Sequence, residues 1–279
     1  MNGVLISAGE LQELLAGNRP VRLLDVRWEL GRTDGHSQYL AGHLPGAVFV
    51  DLDTELSAPP GPGGRHPLPV PEDFHTAARG WGINDGDLVV AYDAAGGAAA
   101  ARAWWLLRHA AFPEVRLLDG GLPAWQEAGG RLAEGNEVPV PGTAVLSWGH
   151  LPVADMETAG ELASSGVLID ARAPERFRGE HEPIDPRAGH IPGAVNIPAA
   201  GNLEANGRFA DAGVLRSRFE AAGVDGTKPV AAYCGSGVYA AAAVAALAVA
   251  GFDAALYPGS WSEWSSTPGA PVATGAGDG

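Results

Sequence analysis

Apolar and polar positions alternate along this chain in short blocks. Arg22–Val26, Leu88–Tyr92, Val115–Leu118 and Val230–Tyr233 are brief, bounded apolar runs, the pattern of buried strands. Ala98–His109 and the alanine-rich stretch Ala241–Leu247 have high helix propensity. Strand-like and helix-like segments that take turns in this way predict an α/β fold, with an open, mostly parallel sheet carrying helices on both faces. Ligands of such sheets bind beyond the carboxyl ends of the strands.

The blocks are written twice. Leu23-Leu24-Asp25-Val26-Arg27 returns as Leu168-Ile169-Asp170-Ala171-Arg172. Ala41-Gly42-His43-Leu44-Pro45-Gly46-Ala47-Val48 returns as Ala188-Gly189-His190-Ile191-Pro192-Gly193-Ala194-Val195. Val90-Ala91-Tyr92-Asp93 aligns with Ala231-Ala232-Tyr233-Cys234, and Gly120-Gly121-Leu122-Pro123-Ala124-Trp125 answers Gly259-Ser260-Trp261-Ser262-Glu263-Trp264. The spacing between copies shrinks after the second pair, which places extra residues in the first half, around Ala58 to His66. A duplicated domain follows. Residues 1–132 form the first copy, residues 133–152 a Gly- and Pro-rich linker across the surface, and residues 153–279 the second copy.

The copies diverge where chemistry would sit. After Tyr233 comes Cys234, the single cysteine of the chain, followed by Gly235-Ser236-Gly237-Val238-Tyr239-Ala240 and a helix. Strand, glycine loop and helix start aim several backbone N–H groups at one spot, an environment that stabilises an anion. A sulfur held there is a candidate nucleophile in its thiolate form. The first copy carries Asp93 at that position, which makes it the non-catalytic half.

Bulk composition narrows the field. The chain has 279 residues, 46% of them hydrophobic and 18% charged, as suits a soluble globular protein. A net charge of −15 disfavours non-specific binding to nucleic acid or to an anionic membrane. The longest apolar run, Val238 to Ala250, is too short to span a bilayer. One cysteine forms no intramolecular disulfide, and the first residues lack a basic segment followed by a long apolar one. A cytoplasmic location is the expectation. Histidines and carboxylates show no metal-ligand spacing, so neither metal nor organic cofactor is expected.

The doubled Asp-x-Arg strand ends, the paired Gly-His-[Leu/Ile]-Pro-Gly-Ala blocks, Glu175-Arg176-Phe177-Arg178-Gly179, the Cys-Gly-Ser-Gly-Val loop and the closing Gly-Ser-Trp-x-x-Trp resemble the two-domain rhodanese family of sulfurtransferases. The resemblance implies tandem rhodanese-like domains in which Cys234 of the second takes a sulfur atom as a persulfide and passes it to a nucleophile. The persulfide loop would be Gly235, Gly237, Val238, Tyr239 and Ala240. The donor would be a small anion, and the acceptor a thiol, a thioredoxin-like protein or cyanide. Gly235 and Ser236 supply no cation directly after the cysteine, so the loop is similar to the type that prefers 3-mercaptopyruvate over thiosulfate. Tyr239 departs from that type, which usually has Thr there. By the same resemblance Arg176 and Arg187 would bind the donor, and Ser236, His66 and Asp53 would relay a proton.

Several plainer roles are expected beside these. Arg172, His43 and His190 recur in both copies and read as structural, and the tryptophans as core. A cysteine phosphatase would need arginine six residues beyond Cys234, where Ala240 stands. The remaining alternatives are a thiosulfate:cyanide sulfurtransferase and a non-turnover sulfur carrier or binding module.

Overall fold

The computed structural model describes residues 3–276. They cluster into two compact units, described separately here. The first holds β1 (Leu5–Ile6), α1 (Ala8–Ala16), β2 (Val21–Asp25), α2 (Gly35–Ala41), β3 (Ala47–Phe49), α3 (Leu52–Glu55), α4 (Pro71–Gly80), β4 (Leu88–Tyr92), α5 (Ala98–His109), β5 (Val115–Leu118) and α6 (Gly121–Glu127). The second holds α7 (Met156–Ser165), β6 (Val167–Asp170), α8 (Pro174–Phe177), β7 (Val195–Asn196), α9 (Ala212–Ala221), β8 (Val230–Tyr233), α10 (Val238–Val249), β9 (Ala255–Leu256) and α11 (Ser260–Ser266).

The first sheet runs β1-β5-β4-β2-β3 and the second β7-β6-β8-β9, all pairs parallel. A lone parallel bridge from Val153 to Leu256 stands in the second unit where β1 pairs with β5 in the first. The central strands β4 and β8 are buried at every residue, as strands covered on both faces must be. In the first unit Leu23, Leu88, Val90, Tyr92 and Trp125 pack with α1, and in the second Leu168, Ala231, Tyr233, Trp261 and Trp264 pack with α7.

The repeated motifs prove to be repeated joints. Arg27 donates to both carboxylate oxygens of Asp25 and to the Gly42 carbonyl. Arg172 does the same with Asp170 and Gly189. The His43 ring meets the Tyr39 carbonyl and the His190 ring that of Phe177, each through Nδ1. Tyr92 and Tyr233 accept from the backbone N–H groups of Leu44 and Ile191. Each joint ties the strand end to the Gly-His segment, so these residues serve the frame.

Three segments cluster otherwise than in the sequence-based division. Residues 59–68, the extra stretch of the first copy, cluster with the second unit, and residues 204–209 with the first. Residues 133–151 cluster with the first unit, because their backbone is hydrogen-bonded into it. The Gly142 N–H donates to Arg79, Ala144 to Ile83, Ser147 to Ala110 and His150 to His109. Met1 and Asn2, which begin the chain, and residues 277–279, which end the expected second copy, lie outside the described residues.

Candidate active site

β8 delivers Cys234 to the carboxyl edge of the second sheet, and Gly237, at φ 82°, turns the chain into α10. That left-handed conformation favours glycine. Cys234 is 1% exposed, and its Sγ accepts from the Gly237 N–H at 3.1 Å. Beneath it the Cys234 N–H donates to Ser260 Oγ at 3.1 Å, and Ser260 donates on to the Tyr257 carbonyl at 2.8 Å. Ser260 itself has φ 55°, a rare conformation for a residue with a side chain. The Trp261 and Ser262 N–H groups donate to the carbonyls of Cys234 and Gly235. The first two residues of the loop are therefore fastened to the start of α11.

The corresponding loop of the first unit shows what such a cradle holds. Asp93 Oδ1 accepts from the N–H groups of Ala95 and Gly97, and Oδ2 from those of Ala99 and Ala100, at 2.8–3.1 Å. Burial pushes the Asp93 carboxyl upward, and the four amides oppose that shift. Gly97 is the N-cap of α5 as Gly237 is of α10, which sets Tyr239 and Ala240 in the register of Ala99 and Ala100.

Ser236 is buried, and its Oγ lies 2.7 Å from His66 Nδ1. The extra segment reaches this place by a close approach. Gly64, at φ 98°, leaves no room for a Cβ, which would stand 2.7 Å from the Gly259 carbonyl oxygen and from Ser262 Oγ. The next N–H, of Arg65, donates to Ser262 Oγ at 3.1 Å.

Two guanidiniums face the loop. A Cβ added to Gly235 would lie 3.1 Å from Arg65 Nη2 and 3.3 Å from Arg176 Nη1. Arg176 sits at the end of α8 and binds Glu182 through Nε at 3.2 Å and Nη2 at 2.7 Å, with Asp185 at 3.0 Å. Arg65 Nη1 pairs with the other oxygen of Asp185. Burial works against the Glu182 charge, but hydrogen bonds from Arg176 and from the Asp185 and Ile184 N–H groups hold it below the usual carboxylate range.

The residues expected from sequence thus divide. Cys234, Ser236, His66 and Arg176 meet around one loop, with Gly235, Gly237, Val238, Tyr239 and Ala240 forming it. Arg187 does not present its guanidinium there: it donates to the carbonyls of Trp264, Ser265, Thr267 and Ala270, at 2.7–3.0 Å. Those contacts give it the work of holding the end of α11. Asp53 belongs to the first unit, where its Oδ1 accepts from the Trp28 indole at 3.1 Å. Arg65, Glu182, Asp185 and Ser260 were not anticipated. The nearest signals were the neighbour His66 for Arg65 and the repeated Gly-Ser-Trp block for Ser260. Among the described residues no group of three or more His, Cys, Asp or Glu side chains could hold a metal, and no helix is long and apolar enough to cross a membrane.

Two parallel sheets, each with a glycine loop and a helix start beyond a buried central strand, define a tandem rhodanese-like protein. The rhodanese-like domain model matches residues 7–128 and again 154–267, and the chain belongs to that family. It is 49% identical over 276 residues to a Mycobacterium tuberculosis protein provisionally named a thiosulfate sulfurtransferase, covering 98% of this chain and 97% of that one. It is 37% identical over 262 residues to the 3-mercaptopyruvate sulfurtransferase of Escherichia coli, with 90% and 92% covered. A crystal structure of the Escherichia coli 3-mercaptopyruvate enzyme matches with a TM-score of 0.82 at 34% identity, over 94% of this chain and 100% of that one.

Proposed function

We propose that the protein is a sulfurtransferase that moves a sulfane sulfur from a small donor to a thiol or cyanide through a persulfide on Cys234. The observation that carries this is the Cys234 sulfur seated on the Gly237 N–H, in a loop whose counterpart holds a carboxylate on four amides. A cradle that holds a carboxylate is suited to a thiolate and to the persulfide formed from it.

In the first half-reaction the thiolate attacks the outer sulfur of the donor. With thiosulfate, the donor S–S bond breaks as the new one forms, and sulfite leaves with the bonding electrons. With 3-mercaptopyruvate, the C–S bond breaks and the electrons remain on the pyruvate enolate, which then takes a proton at carbon. Ser236 and His66 carry that proton in this reading, which their 2.7 Å contact supports. An acceptor thiolate or cyanide then attacks the outer persulfide sulfur and releases the Cys234 thiolate. Arg176 and Arg65 flank the loop and are the cations nearest to a donor seated over Gly235. Of the two donors, the loop sequence is similar to the type that takes 3-mercaptopyruvate rather than thiosulfate. A reducing compartment such as the cytoplasm suits the lone thiol.

The test is the intact mass of the protein after incubation with each donor. The expected result is a gain of one sulfur atom that Cys234→Ser eliminates. An unchanged mass with both donors would refute the reading.

A further inference from the structure

The cations beside the cysteine are already occupied. Asp185 spans the gap between them, one oxygen to Arg65 Nη1 and the other to Arg176 Nη2 at 3.0 Å. Its side chain is 2% exposed, and its own N–H donates to Glu182 Oε1 at 3.0 Å, which fixes it where it stands. Glu182 binds the remaining edge of Arg176. Arg172 also reaches Glu182, at 3.5 Å, and is itself paired with Asp170, so three guanidiniums face three carboxylates and the cluster carries no net charge with which to attract an anion. The Arg65 Nε, also buried, has no hydrogen-bond partner among the described residues, so this guanidinium keeps a donor to spare.

A small donor in the space over Gly235 would meet the guanidinium edges turned toward that glycine. Its remote carboxylate or sulfonate oxygens would seek the same two cations that Asp185 holds. Two anionic groups on one guanidinium pair repel each other, and in a site this enclosed the repulsion is weakly screened. A donor whose only charge lies on the reacting sulfur makes no such demand.

We propose that Asp185 sets the donor specificity of this site, by competing for Arg65 and Arg176 with the donor's remote anionic group. Its presence favours donors without such a group, the alkyl hydropersulfides, over thiosulfate and 3-mercaptopyruvate. With a hydropersulfide the Cys234 thiolate attacks the terminal sulfur, the donor S–S bond breaks, the alkyl thiolate departs and the terminal proton stays on the new persulfide. This specificity rests on the sulfurtransferase reading, but the competition for the two arginines does not.

The experiment separates the two. Cys234 is the single cysteine, so alkylation reports on this site alone. Iodoacetate and iodoacetamide differ in a remote carboxylate, and the ratio of their rates reads how the site treats one. Asp185→Asn is expected to raise that ratio by about tenfold, the effect of one charge-assisted contact becoming available. Asp185→Ser, smaller and also neutral, provides the same comparison should the asparagine variant not fold. A ratio that stays within about twofold, or falls, would overturn the competition, and so would failure of either reagent to label the native wild type. In the wild type, 2-hydroxyethyl hydropersulfide is expected to load sulfur at least about ten times faster than thiosulfate; equal or slower loading would overturn the specificity. A raised ratio without sulfur loading from any donor would leave the competition standing and remove the sulfurtransferase reading.

Discussion

The loop after β4 and the loop after β8 are the same device with different contents. In the first, Asp93 gathers four backbone N–H groups and is sealed in; in the second, Cys234 takes one, from Gly237. A carboxylate reaches across its cradle with two oxygens, whereas a thiol ends one atom short. On the proposed reading, the atom that completes the second loop is the one that a sulfur donor supplies. The difference teaches that one backbone frame, a strand end followed by a glycine loop and a helix start, accommodates either a carboxylate or a thiol.

The sharpest way to break this comparison is Cys234→Ser. Sulfur loading and turnover are expected to vanish, with the melting temperature nearly unchanged, as measured by intact mass, steady-state assay and calorimetry. Residual turnover above a hundredth of wild type would deny the cysteine its role. The mirror substitution, Asp93→Ala, strips four amides of their acceptor, two of them on the buried residues Ala99 and Ala100, and is expected to cost about 3 kcal/mol or more of stability. Denaturant unfolding measures it, and a loss under about 1 kcal/mol would mean that the first loop does not need its anion.

Arg176→Ala sharpens the comparison on the donor side, since the first unit has Leu30-Gly31 where the second has its arginine. In the Asp185→Asn background, where the guanidinium is released to a donor, removal of a charge-assisted contact worth about 1.5–3 kcal/mol is expected to raise KM for an anionic donor by roughly ten- to a hundredfold. Unchanged kinetics would take Arg176 out of the site. Gly235→Ala is gentler. Its methyl would crowd the ends of two flexible side chains, at 3.1 and 3.3 Å, so the expected change is a severalfold rise in KM with little effect on the melting temperature.

The smallest effect is that of pH, and it should reach both units. Burial lowers the pKa of His109 in the first and of His190 in the second below 6.5. The unfolded chain therefore binds these protons first, and stability declines as pH falls below about 6.5. Glu182, held low in the fold, contributes stability above its unfolded value near 4.5 and loses it as pH falls further. Melting temperatures between pH 8 and pH 4 should show both stages; a flat profile down to pH 5 would contradict the histidine stage.

The sequence by itself determined the doubling, the strand and helix order, and the placement of the thiol. Those rest on local periodicity and on glycines whose backbone geometry is short-range. The Cys234 loop was legible for that reason, because strand, turn and helix start are contiguous in the chain. What the tertiary structure alone decided is which distant residues surround it. Residues 59–68, an insertion in the first copy, pack with the second unit and bring Arg65 and His66 to the thiol loop. Arg187 lies near the expected place in sequence, yet four carbonyls at the end of α11 take up its donors. No spacing rule reports such pairings, because an arginine is satisfied by whichever acceptors packing brings within reach.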